Sequence, residues 1–356
     1  MAQRWAEVDL GALRHNVRRL RSLLPSTSSV IAVVKAAGYG HGAVPVARAA
    51  LEAGARGLAV STLEEAAEVR DLLPPDRILV MGGLAPSDAG SAVASGCAIG
   101  CSSLDLARAL SDSALSPVPV HLKVDTGMGR FGCPPEQAPE LARFIAESRH
   151  LRLAGTWTHF HSAESDEAAT RRQFALFEQS LDALDVDPGL RHACNSAAAL
   201  RYPEMALDAV RAGIALYGCE APGMQPVLAL RAQVTHVRDA PEGSTAGYGA
   251  TWRAQRPSRI AALSIGYADG VLRARSNRGW ALIRGRPAPL VGAVSMDTVT
   301  LDVSQVPGVE PGDVATLIGV DGDERIRAEE VAEWSGTISY EVLCAIGKRV
   351  ERRYLE

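Results

Sequence analysis

Residues 30 to 42, VIAVVKAAGYGHG, place one lysine, Lys35, at the end of an apolar, β-branched run and follow it with glycine-rich backbone carrying Tyr39 and His41. A lysine in that position has a chemical use. A short apolar run bounded by glycine reads as a buried parallel strand, and parallel barrels present reactive groups from the carboxyl ends of their strands. Partial burial disfavours the ammonium form and moves the amine toward a nucleophile able to attack a carbonyl. The plain alternative is a solvated lysine closing an ordinary strand, and position alone favours it.

Four further groups of residues shift that balance. KVDTGMGR carries Lys123, Asp125 and Arg130, THFH carries His159, HACNSAA carries His192, Asn195 and Ser196, and VRAGIALYG carries Arg211 and Gly213. Each has a dull reading. Asn195 and Ser196 before an alanine-rich run make an ordinary helix cap. The same start exposes amides that, with the glycine turn after the last strand, form a phosphate cradle, where barrels commonly keep one. Arg211 lies inside an apolar strand, so its guanidinium must meet acceptors or a polar cavity. Taken singly, His159 reads as a structural histidine; it stands near even because its strand ends among the other polar candidates. Lys123 beside Asp125 would ordinarily be a surface ion pair, but in a barrel strand it faces the site. Further along, GYG offers Tyr248 on backbone that bends freely, IGYADG offers Tyr267, and SMD offers Met296 and Asp297. A lysine, a tyrosine and a phosphate cradle point to a pyridoxal phosphate barrel, with an aldolase-like Schiff-base barrel as the rival.

These residues need a scaffold that brings strand ends together. Asp9 stands where a cap belongs, and Leu13, Val17, Leu20 and Leu24 follow at helical spacing, so a helix is expected over Leu10 to Leu24. From Val30 onward short apolar strands alternate with amphipathic helices: VIAVVKA, GLAVST, RILVMG, AIGCSS, PVHLKVDT, LAGTWTHF, RHACN and AVRAGIALYG. Eight such strands at this pace predict a closed (β/α)8 TIM-like barrel rather than an open doubly wound sheet. The absence of GxGxxG after the first strand lowers the dinucleotide-binding alternative. Beyond about Pro226 glycine and proline punctuate shorter strand patterns, predicting a smaller, mostly β domain. The expected division is therefore a barrel over 1–227 and a β domain over 228–356.

Bulk properties narrow the partners. A chain of 356 residues with net charge -4 carries no footprint for nucleic acid or an anionic membrane. Six cysteines, at 97, 101, 133, 194, 219 and 344, show neither a disulfide framework nor paired zinc knuckles. The amino terminus lacks the apolar core of a secretory signal and no run reaches membrane-spanning length, so a cytoplasmic protein with a small-molecule substrate and no resident metal is expected.

Over essentially its full length the chain resembles the alanine racemase family, a pyridoxal phosphate-dependent barrel family. AVVKAAGYGHG, WAEVDLGALRHN, HLKVDTGMGR, THF, CNSAAALR, VRAGIALYG, GYGATW, IGYADG, SMD and TISYEVL all fall in that family's order. The resemblance implies that Lys35 anchors pyridoxal 5'-phosphate covalently and that His159, Asn195 and Arg211 also line the cofactor. Tyr39, Ser196, Tyr340 and the backbone of Gly213 and Ile214 would hold its phosphate. Arg211 would face the pyridine nitrogen, and because a guanidinium cannot take that nitrogen's proton, the ring stays a weak electron sink that favours quick reprotonation.

It further implies two bases on opposite faces of the substrate, Lys35 for the D enantiomer and Tyr248, from the other subunit of a homodimer, for the L enantiomer. An unaided phenol, with a pKa of about 10, is a poor base at neutral pH. The family's answer is a hydrogen-bond chain, here Tyr248, His159 and Arg211. Arg130 would bind the substrate carboxylate, Met296 would add a backbone amide, and Tyr267 with Tyr340 would limit the side chain to about a methyl. Lys123 matches a carbamylated lysine whose negative charge orients Arg130.

The function implied is interconversion of L- and D-alanine, supplying D-alanine for peptidoglycan. Two departures stand out: Ala37 and Gly38 replace the more usual Asn or Asp and Ala, which loosens the lysine loop, and His161 alters the loop after THF. Alternatives are a broader racemase acting for example on serine, a barrel decarboxylase, against which Arg211 argues, and a non-catalytic cofactor carrier, against which the long second domain argues.

Overall fold

Arg4–Asp9 (β1) opens the chain in the computed structural model, which describes residues 3–356. The side chain of Asp9 then accepts the amide of Ala12 at 2.7 Å and starts helix α1, Leu10–Leu23, whose apolar face is buried as its spacing predicts. Eight short strands follow, Ser29–Val33 (β2), Gly57–Val60 (β3), Ile78–Val80 (β4), Ala98–Cys101 (β5), Val118–Lys123 (β6), Leu151–Trp157 (β7), Leu190–His192 (β8) and Ala209–Ala212 (β9). They pair in parallel from β2 through β8, and β9 pairs with β2. Asp208 N to Arg191 O at 3.1 Å and Arg211 N to Cys194 O at 2.9 Å join β8 to β9, so the sheet closes. This is the TIM-like barrel expected from the alternation. Helices cover its outside, and strands β2 to β6 and β9 are buried on both faces almost throughout, which is why most of them read as continuous apolar runs.

Two expectations change in detail. AVRAGIALYG is not one strand: β9 stops at Ala212, and Ile214–Tyr217 is a short 3₁₀ turn after Gly213. That turn is tied to α1 by the buried Asn16, whose Nδ2 donates to Leu216 O at 3.0 Å and Gln225 O at 2.7 Å.

The second change concerns the domain division. The mostly β domain is built on Leu228–Ala240 (β10), with Thr245–Ala246 (β11), Trp252–Arg253 (β12), Ser258–Leu263 (β13), Trp280–Ile283 (β14), Arg286–Pro289 (β15), Val299–Asp302 (β16), Val314–Asp321 (β17), Glu324–Ile326 (β18) and Glu351–Leu355 (β19). β1 runs antiparallel to β10 and parallel to β19 inside this second sheet. The first strand, assigned with the barrel from sequence, therefore belongs to the β domain. Trp5, Ala6 and Val8 are buried and Arg4, Glu7 and Asp9 partly so, as fits a strand flanked by β10 and β19. Among the described residues no helix is long and apolar enough to cross a membrane.

Candidate active site

The lysine strand β2 ends at Val33, and three residues later, at Ala36, the backbone turns left-handed. Ala36 (φ 52, ψ 51), Ala37 (φ 53, ψ 44), Gly38 (φ 62, ψ 46) and Tyr39 (φ 52) follow Lys35 in that conformation. Left-handed backbone costs roughly 1–2 kcal/mol for each residue with a Cβ, so the turn must be held. Glu65 holds it from one side: Oε1 accepts the amide of Ala36 at 2.7 Å, and Oε2 accepts that of Ser61 at 2.7 Å. Arg352 holds it from the other, donating from Nε and Nη2 to Gly40 O at 3.0 and 2.8 Å. Gly38 occupies a conformation that glycine adopts without penalty. Burial, and then the charge of Arg130, lower the Lys35 amine below its ordinary pKa, opposed by Glu65 and Cys344.

The turn buries Tyr39, whose ring stacks on Tyr217 at 4.8 Å between centroids and lies 5.9 Å from that of Tyr340. Its hydroxyl reaches the Gly213 turn so closely that a Cβ on Gly213 would lie 2.4 Å from it. Ser196 Oγ comes to the same corner and accepts the amides of Gly213 at 2.9 Å and Ala215 at 3.3 Å. Asn195 is committed elsewhere. Its Oδ1 caps the helix Ser196–Arg201 at the Ala198 amide, 3.0 Å, and its Nδ2 donates to Phe160 O at 3.4 Å. The cap reading therefore describes Asn195, whereas Ser196 faces the turn after β9, beside Ile214.

Arg211, on β9, is buried among three backbone carbonyls and two histidine ring nitrogens. Nη1 donates to His192 Nδ1 at 2.7 Å and His192 O at 2.8 Å; Nη2 donates to Thr158 O at 2.6 Å, Ala193 O at 2.8 Å and His159 Nδ1 at 3.3 Å. Among the described residues no carboxylate pairs with it, and burial pushes it down to about 9, which still leaves it charged at neutral pH. Its buried Nε–H meets no acceptor among the described residues. Such an orphan is costly unless something outside the chain accepts from it.

His159 is held neutral, well below its ordinary pKa, first by burial and then by Arg211, Arg130, Lys123 and Lys35. Because Arg211 can only donate, the His159 proton must reside on Nε2.

Lys123 ends β6 fully buried. Its Nζ has no hydrogen-bond partner among the described residues and lies 3.3 Å from the centroid of the Phe131 ring. Burial, then Arg130 and Arg211, lower the amine to about 7. Asp125 does not pair with it. Asp125 Oδ1 accepts the amide of Gly127 at 2.9 Å and Oδ2 that of Gly129 at 3.0 Å, shaping the loop that presents Arg130, which is exposed.

Three of the expected residues lie on the surface of the β domain: Tyr248 is 76% exposed, Met296 52% and Tyr267 43%. One segment links them. The amide of Tyr267 donates to Ser295 O at 3.0 Å, that of Ala268 to Met296 O at 3.0 Å, and Gly247 packs on Ala293. Tyr340, on the helix Ser339–Cys344, reaches Tyr39 within the same chain.

Sequence reasoning noticed His192 without a role and missed Glu65, His121 and Arg352. Glu65 had a legible signal, since Thr62-x-x-Glu65 is a capping box, and both of its hydrogen bonds are present. His121 and Arg352 had none, because their partners are distant in sequence.

A charged, buried N–H donor with no carboxylate suits a ring nitrogen that keeps its lone pair, and the Tyr39, Ser196 and Gly213 corner suits a phosphate. The fold and these groups define a pyridoxal phosphate barrel enzyme. Residues 8–221 match the family model described as alanine racemase, N-terminal domain, and residues 227–354 match alanine racemase, C-terminal domain. The chain is 42% identical over 366 residues to the alanine racemase of Desulfovibrio desulfuricans, covering 99% of this chain and 98% of that one. Among solved structures, alanine racemase from E. faecalis superposes with a TM-score of 0.94 at 33% identity, over 99% of this chain and 98% of that one. Alanine racemase from Bartonella henselae with covalently bound pyridoxal phosphate does so with a TM-score of 0.91 at 30% identity, over 100% of both chains. This chain belongs to the alanine racemase family: it is a pyridoxal phosphate-dependent racemase.

Proposed function

We propose that the protein interconverts L-alanine and D-alanine by a two-base mechanism at a site shared between two subunits, as a cytoplasmic homodimer supplying D-alanine for peptidoglycan. When bound at Lys35, pyridoxal phosphate supplies the electron sink that acidifies the substrate α-carbon. The observation that carries the reading is the orphaned Nε–H of Arg211, a donor without a carboxylate, matched to the pyridine nitrogen. A fixed positive charge there keeps the sink weak, so a proton removed from the α-carbon is returned promptly.

On one face Lys35, its amine lowered by burial, removes or returns the proton of the D enantiomer. On the other face the partner subunit's Tyr248 does the same for the L enantiomer. His159 supports the phenolate: with its Nδ1 taken by Arg211, the Nε2–H is left to donate to the phenol oxygen. Exposure of Tyr248, Tyr267 and Met296 on one face of the β domain supports the sharing, since within one chain these groups stand in solvent. Arg130 binds the substrate carboxylate with the amide of Met296, and Tyr267 and Tyr340 confine the side chain. Tyr39, Ser196, Gly213 and Ile214 hold the phosphate.

Lys123, neutral in part near pH 7, adds carbon dioxide: an N–C bond forms, a proton leaves to solvent, and the resulting anion orients Arg130. Incubation of purified protein with L-alanine, followed by chiral analysis, is expected to yield an equal mixture of enantiomers. A preference for serine in the same assay would overturn the substrate assignment, and persistence of pure L-alanine would overturn the activity.

A further inference from the structure

At the end of the barrel opposite the lysine turn, the amino-terminal ends of the strands enclose a cavity of about 290 Å³ whose lining includes Arg56, Asp76, Arg77, His121 and Arg152. Three guanidinium groups share it with a single carboxylate, and Asp76 comes no closer than 3.9 Å to Arg152. A concave surface with uncompensated positive charge concentrates anions.

His121 connects this floor to the active site. Because Arg211 can only donate, His192 Nδ1 is the acceptor of their 2.7 Å bond, and the His192 proton lies on Nε2. That Nε2–H donates to His121 Nδ1 at 2.8 Å, which leaves the His121 proton on its own Nε2. Among the described residues nothing accepts from that nitrogen, and His121 lines the cavity. A chain of donors with one fixed direction thus runs from Arg211 through the barrel interior to the cavity.

We propose that the cavity is a second binding site, for a small oxyanion held by Arg77, Arg152 and the Nε2–H of His121, and that its occupancy is felt at Arg211. The second half rests on Arg211 facing the cofactor. An anion that accepts from His121 makes its Nδ1 a stronger acceptor, and the strengthening passes through His192 to Arg211 Nη1. Arg211 is then held more tightly on the histidine side, and its Nε–H becomes a weaker donor to the ring.

The test titrates sulfate into the holoenzyme by calorimetry, with Arg77→Ala/Arg152→Ala as the comparison. Both arginines are solvent-exposed and remote from the chemistry, so alanine racemisation in that variant reports an intact fold. Wild type is expected to bind one more sulfate per chain than the variant, or the same site about tenfold or more tightly, since two charged contacts are lost. Sulfate should also shift the cofactor absorbance of wild type but not of His121→Leu. Equal stoichiometry and affinity in wild type and variant would overturn the site. Sulfate binding without a spectral change in wild type would overturn the coupling and leave the racemase reading, which the chiral assay tests separately, untouched.

Discussion

Arg211 does two jobs with one planar group: its Nη atoms lock it to the backbone of β7 and β8 and to two neutral histidines, and its Nε–H is left over. Replacing it by glutamate would offer the ring nitrogen a proton acceptor and so strengthen the electron sink. Arg211→Glu is expected to lower racemisation by roughly 10²-fold or more and to release pyruvate by transamination, detectable with a coupled dehydrogenase. Unchanged racemisation without pyruvate would contradict the role given to Arg211.

Lys123 makes a pH prediction whose sign follows from burial. Folding lowers its pKa from the ordinary 10.5 to about 7. Between those values the unfolded chain binds more protons, so the Lys123 contribution to stability improves as pH rises through that window and is worst below it. In bicarbonate-free buffer Lys123→Met should therefore gain thermal stability over wild type progressively from pH 10 down to pH 7, then level off. A difference independent of pH would show that burial does not tune this amine. The chemistry of both residues was legible as an odd charge within an apolar strand. The partners of Arg211 were not, because a hydrogen bond to a carbonyl on a neighbouring strand leaves no mark on residue type.

At the scale of an element, the left-handed turn after Lys35 matters most, and sequence described it only as flexible glycine-rich backbone. Two of its residues are alanines, for which this conformation is unfavourable, so the local preference is overruled by Glu65 and Arg352 acting from outside the turn. Gly38→Ala, at a position with φ 62, is expected to cost about 1–2 kcal/mol, measured from denaturation midpoints. Glu65→Gln removes the charge that accepts the Ala36 and Ser61 amides and should cost about 1.5–3 kcal/mol. Its turnover should fall further than its stability explains, because Lys35 starts the turn. A variant with wild-type turnover would show that the clamp is dispensable for placing the amine. Barrel strands and α1 were readable because their periodicity is set by burial of one face or of both. β1 was readable as extended, but its partners, β10 and β19, lie more than 200 residues away, and alternation alone does not say which sheet a strand joins.

Across the whole molecule, the barrel gathers Lys35, Tyr39, His159, Ser196, Arg211 and Gly213, while Tyr248, Tyr267 and Met296 sit on an exposed face of the β domain. The proposed two-base reading takes the second set from another copy of the chain. The sequence carried the order of the motifs, and the family resemblance implied a site shared between two chains; the exposure of Tyr248, Tyr267 and Met296 was not legible, because it depends on how the β domain packs. Mixed dimers of Lys35→Ala and Tyr248→Phe measure the sharing directly. Each variant alone should be nearly inactive. If a site takes its lysine from one subunit and its tyrosine from the other, every hybrid dimer has one intact site and one doubly damaged site. Unfolding and refolding the two variants together should then restore about a quarter of wild-type activity, half the dimers being hybrids with one working site of two. Activity that stays at the level of the separate variants after hybrid dimers have formed would contradict the account.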